Sequence, residues 1–278
     1  MPKALSTDQI EQYHRDGYVS PVRVVSEGDA TLFRRQMEEA EAVGDLRGIG
    51  QTKFYLRFPW VHEMATHPAL LDAVEDLIGP NIMLYHNTVW FKEGGDGAYV
   101  SFHQDNTYFG HDPCEVLTAW MAITPATIES GCMEFLPGTQ KLGQLDLKEP
   151  DIHGSNMLSS GQNVDLDTAT IEPFPVELQP GECSIHHAFL VHGSLPNNAP
   201  DRRMGITFIY HPPQLGQLGN CRTSALLVRG EDPYGNFDHE QAPNADDMIG
   251  NIARHETAVL AYREKVREMG NITVARLD

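Results

Sequence analysis

The chain has 278 residues, 41% of them hydrophobic and 21% charged, which is ordinary for a folded soluble protein and enough for one sizeable core. It contains no run of ~18 apolar residues, so a membrane-spanning helix is excluded, and its opening, Met1 to Asp8, lacks the apolar core of a secretory signal, so the expected compartment is the cytoplasm. A formal net charge of −19 makes nucleic acid and anionic membranes poor partners but leaves room for a small-molecule substrate, even an anionic one met by a few buried arginines.

Ser6, with Gln9 three residues later, fits a capping box for a helix over 7–16. Residues 27–44 carry Leu32, Phe33, Met37 and Ala40 at helical spacing, with Gly44 as a stop. Pro68 opens another helix, which Gly79-Pro80 closes. Residues 1–80 are therefore expected to be mainly helical. From residue 82 the pattern changes to short β-prone runs at 82–91, 98–105, 115–124, 131–136, 171–178, 181–187, 189–194 and 203–211. Turn signals separate them, among them Gly94 to Gly97, Pro137-Gly138, Pro180-Gly181 and Pro196-Asn197-Asn198. So many short strands suggest a jelly roll. Residues 140–170 are polar, with Gly154, Ser155, Ser159, Ser160 and Gly161 giving the stretch little to bury, and they read as a lid-like insertion. Residues 245–269 return to helix. The expected architecture is a single domain over 1–278, mainly β with flanking helices. Its core is a double-stranded β-helix (jelly-roll, cupin-like) at 82–211.

The chemistry begins at His103-Gln104-Asp105. In a strand, residues i and i+2 share a face, so His103 and Asp105 can grip one metal ion while Gln104 points away. Far downstream, His192 lies in Val191-His192-Gly193-Ser194, and a jelly roll can bring the two strands together. Two histidines and one carboxylate make the facial triad of iron(II) oxygenases, which leaves positions open on the metal. His186 and His187 compete for the same role and could equally be interior histidines. The four cysteines, Cys114, Cys132, Cys183 and Cys221, form no CxxC pair and read as buried reduced thiols. After the turn at Pro196–Asp201, Arg203 returns to the level of His192 and shares a strand face with Gly205 and Thr207. Such an arginine can take a carboxylate through two parallel hydrogen bonds, whereas Arg202 beside it reads as a surface residue.

These segments carry a resemblance. Phe102-His103-Gln104-Asp105, Thr118 to Ala122, Gly131 to Thr139, Pro180-Gly181-Glu182, His192-Gly193-Ser194 and Arg203-Met204-Gly205 occur in the order of the phytanoyl-CoA dioxygenase superfamily. The chain is similar to its ectoine hydroxylase and syringomycin-type halogenase branch, over about residues 6 to 240. The resemblance implies iron(II) as cofactor and 2-oxoglutarate as co-substrate. It implies His103, Asp105 and His192 as metal ligands and Arg203 as the holder of the distal carboxylate of 2-oxoglutarate. Trp120 would line that pocket and Ser194 would neighbour the carboxylate. His86, Thr88 and Trp90 share a strand face where ectoine hydroxylase places polar residues, and Trp90 departs from that pattern. Halogenases of this branch replace the carboxylate by a small residue, so Asp105 favours hydroxylation of a small polar metabolite. Tyr108, Phe109, Arg222, Arg229 and Tyr234 are candidates for the substrate pocket. The alternatives are a cupin-type hydrolase or isomerase using zinc or manganese, and a non-catalytic barrel.

Overall fold

The structure, a computed structural model, describes residues 2–46, 51–150, 154–158, 161–167 and 170–275. Helix α1 (Thr7–Asp16) starts with the expected capping box: the Ser6 hydroxyl accepts from the Gln9 backbone and the Gln9 side chain accepts from the Ser6 backbone. Gly17 ends it in the left-handed region (φ 88°). The chain then departs from the helical expectation, because Tyr18–Arg23 forms strand β1. Pro21 interrupts its β-prone run and masks it in sequence. The proline is tolerated because β1 is the edge strand of its sheet.

Helices α2 (Glu27–Ala42), α3 (Pro59–Ala65) and α4 (Pro68–Ile78) follow. The large sheet comprises β1, β2 (Ile82–Lys92), β5 (Leu117–Ala122), β8 (Glu182–His187), β10 (Arg203–His211), β12 (Ser224–Arg229) and β13 (Asp238–His239). Its order is β1-β8-β5-β10-β2-β12-β13. The small sheet has the order β3-β9-β6-β7, from β3 (Val100–His103), β6 (Met133–Phe135), β7 (Phe174–Val176) and β9 (His192–Ser194). A short ribbon pairs β4 (His111–Asp112) with β11 (Gly216–Gln217). The fold is the expected jelly roll, and β12 and β13 extend its large sheet beyond the predicted strands. Helix α5 (Asn106–Phe109) follows β3, and the last helix, α6, runs over Met248–Ala275.

Period-two alternation decides what reaches the barrel interior. Leu117, Ala119 and Met121 of β5, Cys183 and Ile185 of β8, and Met204, Ile206, Phe208 and Tyr210 of β10 pack with Met37, Ala40, Leu70, Leu71 and Val74 of the helices. Each fully buried aliphatic or aromatic side chain there contributes roughly 1.5–3 kcal/mol. The intervening residues, Thr118, Trp120, His186, Arg203 and Thr207, face the opposite way and line a cavity. The helices thus hold the sheet from outside and leave its other face free for chemistry.

The stretch over 140–170 buries more than its composition suggests. Leu145, Leu147 and Leu166 pack with Leu136, Val164 and Val191. The Val164 N–H donates to the Phe102 carbonyl, which ties the stretch to β3. Ser159 and Ser160 lie outside the described residues. The four cysteines are free thiols; Cys132 and Cys183 are buried, whereas Cys114 and Cys221 are only partly so. Among the described residues no helix is long and apolar enough to cross a membrane.

Candidate active site

His103 ends β3 and faces His192 of β9 directly across the small sheet, with ring centroids 4.1 Å apart. Asp105 joins them by a different route from the one expected. It is not on the strand: its backbone is helical (φ −61°, ψ −37°) at the start of α5. The buried Gln104 amide donates to the carbonyls of Gly143 and Phe189, anchoring this turn. Asp105 Oδ1 comes 3.5 Å from His103 Nε2 and 3.7 Å from His192 Nε2, and ligand atoms of all three lie within 4.8 Å of one another.

The tautomers follow from the partners. Nδ1 of His103 meets the Ser101 carbonyl and Nδ1 of His192 meets the Leu190 carbonyl, both at 2.9 Å. A carbonyl can only accept, so each Nδ1 carries the proton and each Nε2 presents its lone pair. Burial, then His103, pushes His192 well below the usual imidazole range. Thr118 Oγ1 donates to Asp105 Oδ2 at 2.6 Å, leaving Oδ1 toward the histidines. Two neutral imidazoles and one carboxylate so placed could hold a divalent metal. His187 does not compete: its Nδ1 accepts from the Phe189 N–H, and its ring lies 6.5 Å from Tyr13 of α1.

Arg203 lines the same cavity. This guanidinium is only 1% exposed. It donates to the Gly131 carbonyl at 3.1 Å and lies 5.2 Å from the Trp120 ring centroid. Its Nε has no partner, and among the described residues no carboxylate pairs with it, although the chain has 39 acidic residues. Burial lowers its pKa to about 10, which still leaves it charged at neutral pH. Gly205 makes room for this arrangement, since a Cβ there would come within 2.0 Å of the Trp120 ring. Arg202, expected at the surface, is largely covered: it lies over Phe91 and pairs with Glu41 and Glu93.

Lys92 escaped the sequence reading. It directly opposes Arg203 across the β2–β10 pair, is fully buried, and donates to Ser194 Oγ at 2.6 Å. Burial, then Arg203, lowers its pKa to about 7. Its signal was a lysine at the very end of an apolar strand, one residue past the predicted boundary. Ser194 and Trp120 do line the cavity, but His86 and Thr88 do not. His86 Nε2 meets Thr88 Oγ1 at 2.9 Å, and its ring stacks on Tyr262 of α6 at 4.1 Å. Trp90, further along the same strand face, reaches the cavity wall instead, with its buried Nε1 unpartnered. Of the substrate candidates, Tyr108 bonds Gln162 and Phe109 packs on Tyr85. Arg229 pairs with Asp72 and Glu75, Arg222 pairs with Asp238, and Tyr234 is 57% exposed. None of these five lines the cavity.

Residues 13–205, more than two thirds of the chain, match the family model described as phytanoyl-CoA dioxygenase (PhyH). The chain belongs to the PhyH family. A probable phytanoyl-CoA dioxygenase of Caenorhabditis elegans is 26% identical over 257 residues, covering 82% of this chain and 82% of the relative. A methylphosphonate hydroxylase of Gimesia maris is 25% identical over 238 residues, covering 78% and 85%. Among solved structures, the apo form of the non-heme monooxygenase ThoJ superposes with a TM-score of 0.84 at 28% identity, covering 95% of this chain and 99% of that one. As a member of this family the chain is an enzyme of the dioxygenase class.

Proposed function

We propose that His103, Asp105 and His192 hold the iron, that Arg203 holds the distal carboxylate of 2-oxoglutarate, and that the enzyme hydroxylates an aliphatic C–H bond of a small polar metabolite. The observation that carries this reading is Arg203: a buried cation with an orphaned Nε, in the same cavity as the triad. A buried charge is retained when something pairs with it, and a dicarboxylate spanning from triad to guanidinium supplies that pair. Bound iron would supply dioxygen activation coupled to conversion of 2-oxoglutarate into succinate and CO2.

The chain's own residues set the stage. Nδ1–H bonds to Ser101 and Leu190 aim both Nε2 lone pairs at the metal position. Trp120 closes one wall against water, and Ser194, held by Lys92, stands near the carboxylate end. Lys92 adds a second buried cation there. Asp105 occupies the position that a halide would need, which favours hydroxylation over halogenation. A zinc or manganese hydrolase would leave Arg203 unpaired, and a non-catalytic barrel would need neither triad nor arginine. We read the whole chain as one catalytic unit, and its unbridged thiols are in keeping with the cytoplasm. The relative named for methylphosphonate supports a small polar substrate.

The test is a screen of small polar metabolites with iron(II), 2-oxoglutarate and dioxygen, following succinate and product mass together. The expected hit releases succinate and gives a product heavier by one oxygen. A chlorinated product in chloride buffer, or turnover with zinc and no succinate, would contradict the proposal.

A further inference from the structure

Among the described residues, His186 is the one titratable side chain on the cavity wall that the proposed reaction leaves unused. It stands on β8 directly opposite Thr118 of β5. The ring is 1% exposed, and neither nitrogen has a hydrogen-bond partner. Its neighbours are the rings of His192 at 4.6 Å and Phe135 at 5.1 Å. A phenylalanine or leucine would fill such a place without burying two unsatisfied polar atoms, which are rare in folded proteins and costly when they occur.

The geometry offers the ring one polar contact. Nε2 of His186 lies 3.4 Å from Oδ2 of Asp105, whereas His103 and His192 approach Oδ1. The three imidazoles therefore divide the carboxylate between them. Thr118 already donates to Oδ2 at 2.6 Å, and that oxygen has a second lone pair to offer. At 3.4 Å the His186 contact is long for a charge-assisted hydrogen bond, and a shift of about half an ångström completes it. We infer that His186 is a positioning residue for Asp105: its Nε2–H and the Thr118 hydroxyl together occupy Oδ2, so that only Oδ1 is free to bind a metal. Held this way, Asp105 takes one coordination position instead of two, and the remaining positions stay open for co-substrate and dioxygen. This rests on the reading of His103, Asp105 and His192 as metal ligands.

Cobalt(II) is a suitable probe, because its visible bands report the ligand set without turnover. The wild type, His186→Phe, His186→Leu, His186→Gln and His103→Ala are titrated with cobalt, and circular dichroism confirms that each is folded. Loss of a residue that orients a ligand typically weakens metal binding by about 10–100-fold. That loss, with altered visible bands, is expected for the Phe and Leu variants, and two apolar replacements guard against a misfit of either one. Glutamine keeps an N–H donor and should recover most of the affinity and the wild-type bands. Wild-type affinity and bands in both apolar variants would overturn the inference. So would a glutamine variant as weak as the leucine one, which would mean the ring is wanted for its shape. If His103→Ala binds cobalt as tightly as the wild type, the metal site itself is misplaced and the inference falls with it, a failure distinct from the other two.

Discussion

Two buried cations, in two regions of the molecule, show how fold and function part company. Lys53, beneath the C-terminal stretch, is fully buried and meets Glu240 at 2.7 Å. It also donates to the Ser224 carbonyl at 2.8 Å, and Glu240 accepts from Tyr55 as well. The chain supplies every partner of that knot. Arg203, on the wall of the barrel cavity, is equally buried and has no carboxylate partner among the described residues. One region is complete as folded, whereas the guanidinium of the other keeps an unpartnered Nε. An unpaired buried charge is a standing cost, so its retention points to a ligand rather than to stability.

The triad should show the largest effect. Alanine at His103, Asp105 or His192 is expected to lower iron(II) affinity by more than the roughly 10–100-fold typical of an outer partner, measured by metal content after dialysis. Full iron in His192→Ala together with loss in His187→Ala would break the assignment. The two cations then separate by sign. Glu240→Ala strands Lys53 and should destabilise the apo protein by about 3–5 kcal/mol in urea unfolding. Arg203→Met removes a charge that the apo protein leaves unpaired and should cost less than about 1 kcal/mol or stabilise it. Equal losses in the two variants would erase the distinction.

A smaller effect concerns acid. His211 is buried, and burial lowers its pKa from 6.5 to about 4. As pH falls through that window the unfolded chain takes up this proton and the folded one does not, so the native state loses stability below pH 6.5 and keeps it above. The loss is on the order of 3 kcal/mol by pH 4, and His211→Gln should flatten that limb of the urea-unfolding profile. Smallest of all, Arg222→Ala and Arg229→Ala break partly exposed pairs. They should change stability by less than about 1 kcal/mol and leave 2-oxoglutarate binding, measured by calorimetry, unaltered.

What could be read from sequence was mostly face and period. Alternation placed the core strands from Ile82 to His211, and it set Arg203, Gly205 and Thr207 on the cavity side, against Trp120. Alternation does not report distance along a strand. His86 and Thr88 have the right parity, yet at ~3.3 Å per residue they lie well along β2 from Trp90 and serve the contact with α6 instead. Asp105 comes beside His103 and His192 by a route that strand parity does not describe, since the strand ends at His103 and a turn held by Gln104 brings the carboxylate in. Lys92 and His186 depended on depth of burial and on partners from other strands, which no local pattern records.

The central claim is that Arg203 and the triad together make a site for iron and a dicarboxylate. It is tested most directly by titrating 2-oxoglutarate into the anaerobic iron(II) complexes of wild type and Arg203→Ala, following the metal-to-ligand absorption band. A charge-assisted pair whose other half stays buried is worth about 2–4 kcal/mol, so the variant should bind roughly one and a half to three decades more weakly, with its iron content unchanged. An unaltered dissociation constant in Arg203→Ala would contradict the account.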